Sequence, residues 1–212
     1  MYIKQQGAMF GLDARIALAI FGALSVISGA ALYSAIQSAK VERVNQGFSE
    51  IYKATEAYYL DNFKNLPQNP DSGSFYGIYL SDLIENRELL STWNGPYING
   101  DAANPHLENN LSKEVDPGSF INSYLFKSSA WGDFTPSEMN CSAVGDADCS
   151  SWIGLFSGGT VNGQAKLDNL FNKLDNKIDG GDGESSGKIR YFKPLLNHSD
   201  LYYQGMPRKR SV

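Results

Sequence analysis

Catalytic raw material is scarce in this chain. It has two histidines, His106 and His198, and two cysteines, Cys141 and Cys149, in 212 residues. Both histidines lie in polar surroundings and read as solvent-facing. No nucleophile elbow, phosphate-binding loop, dinucleotide fingerprint or H-E-x-x-H motif occurs, so no enzyme is expected. Two cysteines without further sulfur or a nearby histidine cannot build a zinc site. Excess positive charge is missing too: 18 Lys and Arg stand against 23 Asp and Glu, a net charge of −5, which argues against a general nucleic-acid-binding surface. The one basic cluster, Arg208-Lys209-Arg210, reads as a solvated tail.

What the chain does have is a long apolar run, free of both charge and proline. The 21 residues from Ile16 to Ile36 are uncharged and mostly apolar. At about 1.5 Å per residue they cover roughly 31 Å, the thickness of a bilayer's hydrocarbon core. A secretory signal peptide fits poorly, because its apolar region is about 7 to 15 residues and follows a basic stretch. Here Asp13 stands just ahead of the run, and Gln37-Ser38-Ala39-Lys40 continues the helical pattern without a small-x-small cleavage site.

Beyond the run, Val41, Val44, Phe48, Ile51, Thr55 and Tyr58 recur at steps of three and four, with Lys40, Arg43, Glu50, Lys53 and Glu56 between them. That spacing predicts one buried stripe on a helix. Span and stripe read as one rod from about Leu12 to Leu60, roughly 73 Å long. A carboxylate such as Asp13 at membrane depth is costly, about 2.5 to 3.5 kcal/mol at the centre of a span. Two readings of it are open: a partner on another chain, or snorkelling to the headgroups. Arg15 points about 200° away from Asp13 and is not its partner. Ser25 and Gly29, four apart among Gly22, Ala30 and Ser34, have the small-xxx-small spacing that lets helices approach closely in lipid.

These residues resemble those of type IV filament subunits, the type IV pilins and the pseudopilins of type II secretion. Members carry a short leader ending in Gly or Ala, an acid as fifth residue of the mature chain and a Gly nine positions later. A cut between Ala8 and Met9 makes Asp13 that acid and Gly22 that glycine. The chain departs from common usage with Asp for Glu, Met for Phe, Ala for Gly and a charge at Arg15. The resemblance implies processing at Ala8/Met9 by a prepilin peptidase, an N-methylated Met9, and Asp13 pairing with the Met9 amine of a neighbouring subunit. It also implies an inner-membrane anchor with the globular part on the periplasmic side, and assembly with copies of itself or related pilins.

On this reading the chain divides into a leader (1–8), a transmembrane helix (9–36), its amphipathic continuation (37–60), a globular domain (61–205) and a basic tail (206–212). In the globular part, Asn65 to Gly73 is rich in turn residues. Ser81 to Leu90 is expected to be a short helix capped by Ser81. Trp93-Asn94-Gly95-Pro96-Tyr97 makes a tight aromatic turn similar to W-x-G-P-Y turns of pilin-like proteins. Ser123–Lys127, Trp152–Phe156 and Lys188–Lys193 read as strands. With no alternating helix–strand repeat, the expected fold is α+β, a long N-terminal helix packed on an antiparallel sheet.

In an oxidising compartment Cys141 and Cys149 form a disulfide closing a small loop; in the cytosol they stay thiols. From Leu174 onward, Asp175, Asp179, Asp182 and Glu184 alternate with glycines, a set of hard oxygen donors suited to calcium. It is no EF-hand, since Lys177 and Ser186 stand where that loop needs ligands. The competing reading is a helix ending at Asp179, glycines in the left-handed turn and a strand from Lys188. A similar Asp-x-Lys-Ile-Asp run followed by Gly-Lys-Ile-Arg occurs in pilin-like proteins, some of which bind calcium near the C-terminus. The function expected is that of a filament subunit for adhesion, motility, DNA uptake or secretion. The alternative is a monomeric, membrane-anchored periplasmic protein that binds calcium or a glycan.

Overall fold

The apolar run and the stripe that follows it form one uninterrupted helix, α1 (Met9–Asn62, 54 residues). The computed structural model describes residues 9–69, 77–102, 107, 110–113, 119–129, 131, 141, 148–157, 161–195 and 198–209. The expected leader with Ala8, the tip of the loop after Asn69, His106 and the last three residues lie outside the described residues. Two compact units are present, residues 1–42 and residues 43–212.

In the first unit the large apolar side chains stand in the open: Leu18 and Phe21 are each 70% exposed and Val26 73%. Among the described residues α1 is the one helix long and apolar enough to cross a membrane, by length and composition.

In the second unit one face of α1 is covered. Val44, Phe48, Ile51, Ala54 and Tyr58 are buried. Ala54, not Thr55, completes the stripe. Thr55 is half-buried at its edge and turns its hydroxyl back onto the Ile51 carbonyl at 2.9 Å.

The stripe lies on an antiparallel sheet of six strands: β1 (Gln68–Asn69), β2 (Gly77–Ile78), β3 (Phe120–Lys127), β4 (Cys149–Phe156), β5 (Ile189–Leu195) and β6 (His198–Pro207). Their spatial order is β1-β2-β3-β4-β6-β5. Register fixes two faces. Ile121, Leu155, Leu201 and Tyr191 align across four strands, as do Ser123, Ile153, Tyr203 and Ile189. This face receives α1, through the stacked rings of Phe48 and Tyr203 (5.2 Å). It also receives α3 (Val161–Ile178), through Phe171 stacked on Tyr191 (4.9 Å). A one-turn helix, α2 (Asn110–Lys113), sets Leu111 against Gly47 of α1, where a Cβ would stand 3.0 Å from the leucine.

The opposite face is aromatic. Phe126, Trp152 and Tyr202 are buried there, with Tyr124, Trp131, Phe156 and Phe192 packed around them. Arg190 lies 4.9 Å from the Trp131 ring and 4.7 Å from the Trp152 ring, and donates to the carbonyls of Ser128 (2.7 Å) and Gly187 (3.1 Å). Gly154 sits in this layer because a side chain there would collide with the Phe156 and Tyr202 rings.

Three sequence expectations change. A 3-10 turn, Leu80–Leu83, replaces the helix expected over Ser81 to Leu90. Asn86 ends it by bonding both the N–H and the carbonyl of Leu90, and Arg87 turns back to the Ser81 hydroxyl. The aromatic turn that follows docks on the end of α1: Trp93 donates to the Asp82 carbonyl (3.1 Å) and Tyr97 to Asp61 (3.0 Å), while Asn62 links Tyr97 and Thr92. The tail expected from residue 206 is also corrected. Met206 and Pro207 belong to β6, and Arg208 donates its N–H to the Cys149 carbonyl at 2.9 Å. The third change is β6 itself, whose Asp200, Gln204 and Gly205 hide the alternation of a strand.

Two predictions follow from this packing. Ile51→Ala leaves a cavity against the sheet and is expected to cost about 2 to 5 kcal/mol, read as a lower urea midpoint with an unchanged m-value. Burial raises Asp200 from 3.8 to about 7, against a lowering hydrogen bond from Tyr202. Burial likewise raises Asp82 to about 6, offset in part by Arg87. Both carboxyls hold protons in the folded chain that the unfolded chain has released. Their contribution to stability is therefore complete below about pH 4 and is lost as pH rises through 6 and 7. The urea midpoint is expected to fall between pH 5 and 8, and Asp200→Asn to flatten that fall; an unchanged profile in the variant would refute the assignment.

Candidate functional site

The acidic turn grows from the end of α3. Leu167, Leu170, Phe171 and Leu174 bury one face of this helix, and Asp175 follows them into the interior, only 5% exposed. After Ile178 the chain reverses through glycines in the left-handed region, Gly180 (φ 76°), Gly181 (φ 82°) and Gly183 (φ 100°), which a side chain would strain. The Gly181 N–H returns to the Asp175 carbonyl (3.2 Å).

Asp179 fastens the turn to the sheet. Its Oδ2 accepts the backbone N–H groups of Lys188 (2.8 Å) and Ile189 (2.7 Å), where β5 begins. Gly187, at φ 69°, has to be glycine twice over, since a Cβ there would stand 2.5 Å from that carboxyl. The helix-end, glycine-turn and strand reading of this segment thus describes its backbone.

The same backbone gathers three of the four acids expected to face a cation. Asp175, Asp179 and Asp182 each place a carboxylate oxygen within 4.8 Å of the others. Two oxygens that bind one calcium ion at about 2.4 Å can be no further apart than this. Asp175 Oδ2 accepts the Gly183 N–H at 3.3 Å, but its Oδ1 is buried without a hydrogen-bond partner. Burial pushes the Asp175 pKa upward; the Gly183 hydrogen bond opposes this, and the charge and close side-chain approach of Asp182 and the charge of Asp179 add to it. Glu184 turns elsewhere, to the Lys193 ammonium at 3.3 Å, and Lys193 also pairs with Asp168. Sequence reading found the acids but not the backbone donors of Gly183, Lys188 and Ile189, because main-chain N–H groups leave no residue signature.

At the other end of the chain, Asp13 and Arg15 are both exposed on α1, and Met9 is its first residue. Gly22 and Gly29 have nothing within 4 Å of where a Cβ would be, so the helix backbone is bare at both. Cys141 and Cys149 form a disulfide across a sequence separation of 8, with both half-cystines buried and Cys149 opening β4. His198 lies in β6. Comparison with models of known families, with curated proteins and with solved structures gave no match.

Proposed function

We propose that this chain is a structural subunit of a type IV filament, a pilus or a secretion pseudopilus, processed between Ala8 and Met9 and assembled through α1. The observation that carries the reading is α1 itself. Its first part is apolar on every side, holds an acid near its start and is bare of neighbours, while its second part is bound to a sheet. A helix satisfies its own backbone groups, so it can leave a bilayer and enter a bundle without changing conformation. What it needs in the bundle is a partner for Asp13, and the freed amine of Met9 on a neighbouring copy has the matching charge. The partners implied are further copies or related pilins, the inner membrane, a prepilin peptidase and assembly machinery.

Asp13→Ala is expected to leave the protein folded and in the membrane fraction while abolishing sheared filaments. Wild-type filament yield from this variant would end the pairing proposal. A membrane-tethered binding protein, the second class, loses nothing by that substitution.

One observation favours a calcium role within either class, the orphaned buried Oδ1 of Asp175 beside two further carboxylates. We propose that Asp175, Asp179 and Asp182 hold a calcium ion that fixes the turn between α3 and β5. Calcium at 100 times its Kd is expected to stabilise the wild-type chain by about 2.7 kcal/mol in thermal melts against a chelator. Asp175→Asn should melt at the same temperature with and without calcium, and a calcium-independent wild type would discard the site.

A further inference from the structure

The end of β6 holds a half-buried cation, Arg208, for which no salt-bridge partner is found among the described residues. Arg208 lies in a segment held at three points. Its own N–H donates to the Cys149 carbonyl (2.9 Å), the Lys209 N–H donates to Asn65 Oδ1 (3.1 Å), and Asn65 Nδ2 donates to the Lys209 carbonyl (2.7 Å). The backbone that carries the guanidinium is thus tied to β4 and to the loop after α1. It lines a cavity of about 30 Å³ between the buried side of α1 and strands β3, β4 and β6, with Thr55, Tyr59, Leu66, Leu125, Ile153 and Met206 among its walls.

Two of its donor nitrogens, Nε and Nη1, are buried and have no hydrogen-bond acceptor among the described residues. Two of the wall hydroxyls are turned to backbone carbonyls, Thr55 to that of Ile51 and Ser151 to that of Met206. Burial moves the Arg208 pKa downward. Burying a charge of this kind is unfavourable unless an opposite charge comes with it. An arginine does not solve the problem by losing its proton, as a lysine can, because it stays ionised at any accessible pH.

The dimensions restrict the counter-charge. A water centre needs about 10 to 15 Å³ of such space, so the cavity takes two or three water-sized atoms. That is room for a halide or a one- or two-carbon carboxylate, with a water beside it, and not for a sugar acid. The apolar part of the wall, Leu66, Ile78, Leu80, Leu125, Ile153 and Met206, strengthens the pairing by lowering the local dielectric, and Ser123, Ser151 and Thr55 add hydroxyls beside it.

We propose that this cavity binds a small monoanion, a halide or short carboxylate, held by the Arg208 guanidinium, and that the bound anion locks the end of β6 to α1. This site is remote from the acidic turn in its chemistry and does not depend on filament assembly.

The test uses the full chain in detergent micelles, melted with tryptophan fluorescence in sodium chloride, formate, acetate or gluconate at matched ionic strength. Chloride, formate and acetate are expected to raise Tm along a saturating curve, by about 5 to 10 °C at a hundredfold excess over Kd, and gluconate is not. Arg208→Gln should abolish the dependence. Absence of a saturating rise in the wild type, an equal rise in gluconate, or the same rise in Arg208→Gln would overturn the proposal. A measurement that needs no variant is the 35Cl line width: the wild-type chain should broaden the chloride resonance and formate should reverse it. Broadening that formate leaves unchanged, or none at all, counts against the site.

Discussion

Backbone hydrogen bonding along α1 is the constraint from which the other features follow. Every N–H and C=O in the middle of a helix bonds four residues away on the same chain, so what surrounds the helix is decided by side chains alone. α1 uses this freedom twice. Up to Ile36 it presents apolar atoms in all directions, and from Val44 to Tyr58 it presents them in one. The sheet then has to match a stripe whose spacing is set by helical geometry. It does so with flat rings, Tyr203 against Phe48, and with the short side chains of Ser123 and Ser151 near the half-buried Thr55.

The second face of the sheet solves a different problem. A sheet carrying helices on one side still exposes the other, and an antiparallel sheet commonly leaves that side polar. Here it carries aromatic rings, with the Arg190 guanidinium laid against two tryptophans. The disulfide ties the start of β4 to Cys141. Aromatic packing of this kind removes large areas from water with few rotatable bonds, which suits a sheet that narrows at one edge to the two-residue strands β1 and β2.

Legibility in the sequence followed the distance over which each element is determined. The stripe of α1 was readable because its partners are spaced by the helix itself, and the one slip, Thr55 for Ala54, lies at the stripe's edge. The cores of β3, β4 and β5 were readable from branched and aromatic residues between turn signals. β6 was not, since Gly205 is required by the close approach of Ser151 on β4, and Asp200 is tolerated only inside the aromatic layer, both matters of tertiary contact. The short helix failed for the opposite reason: Asn86 offers its own side chain to the backbone and stops the helix locally. Of the acidic turn, the residue types and glycines were visible. The inward aim of Asp175 was not, because whether it is buried depends on how far α3 turns before it ends. The basic end of the chain was misread because a charged side chain over an apolar cavity has the same sequence as one in water.

The strand order has a consequence for how the molecule is made. Among the described strands β6 comes last in sequence, yet it stands between β4 and β5. Until it arrives, β4 is an open edge with an unmet row of donors and acceptors, and β5 has no sheet to join. Before β6 is made, β4 and β5 therefore lack the strand through which they are joined. A chain stalled or clipped before residue 198 is a sticky species with the same exposed edge, and the cell has to keep such edges apart during the seconds before the final strand emerges.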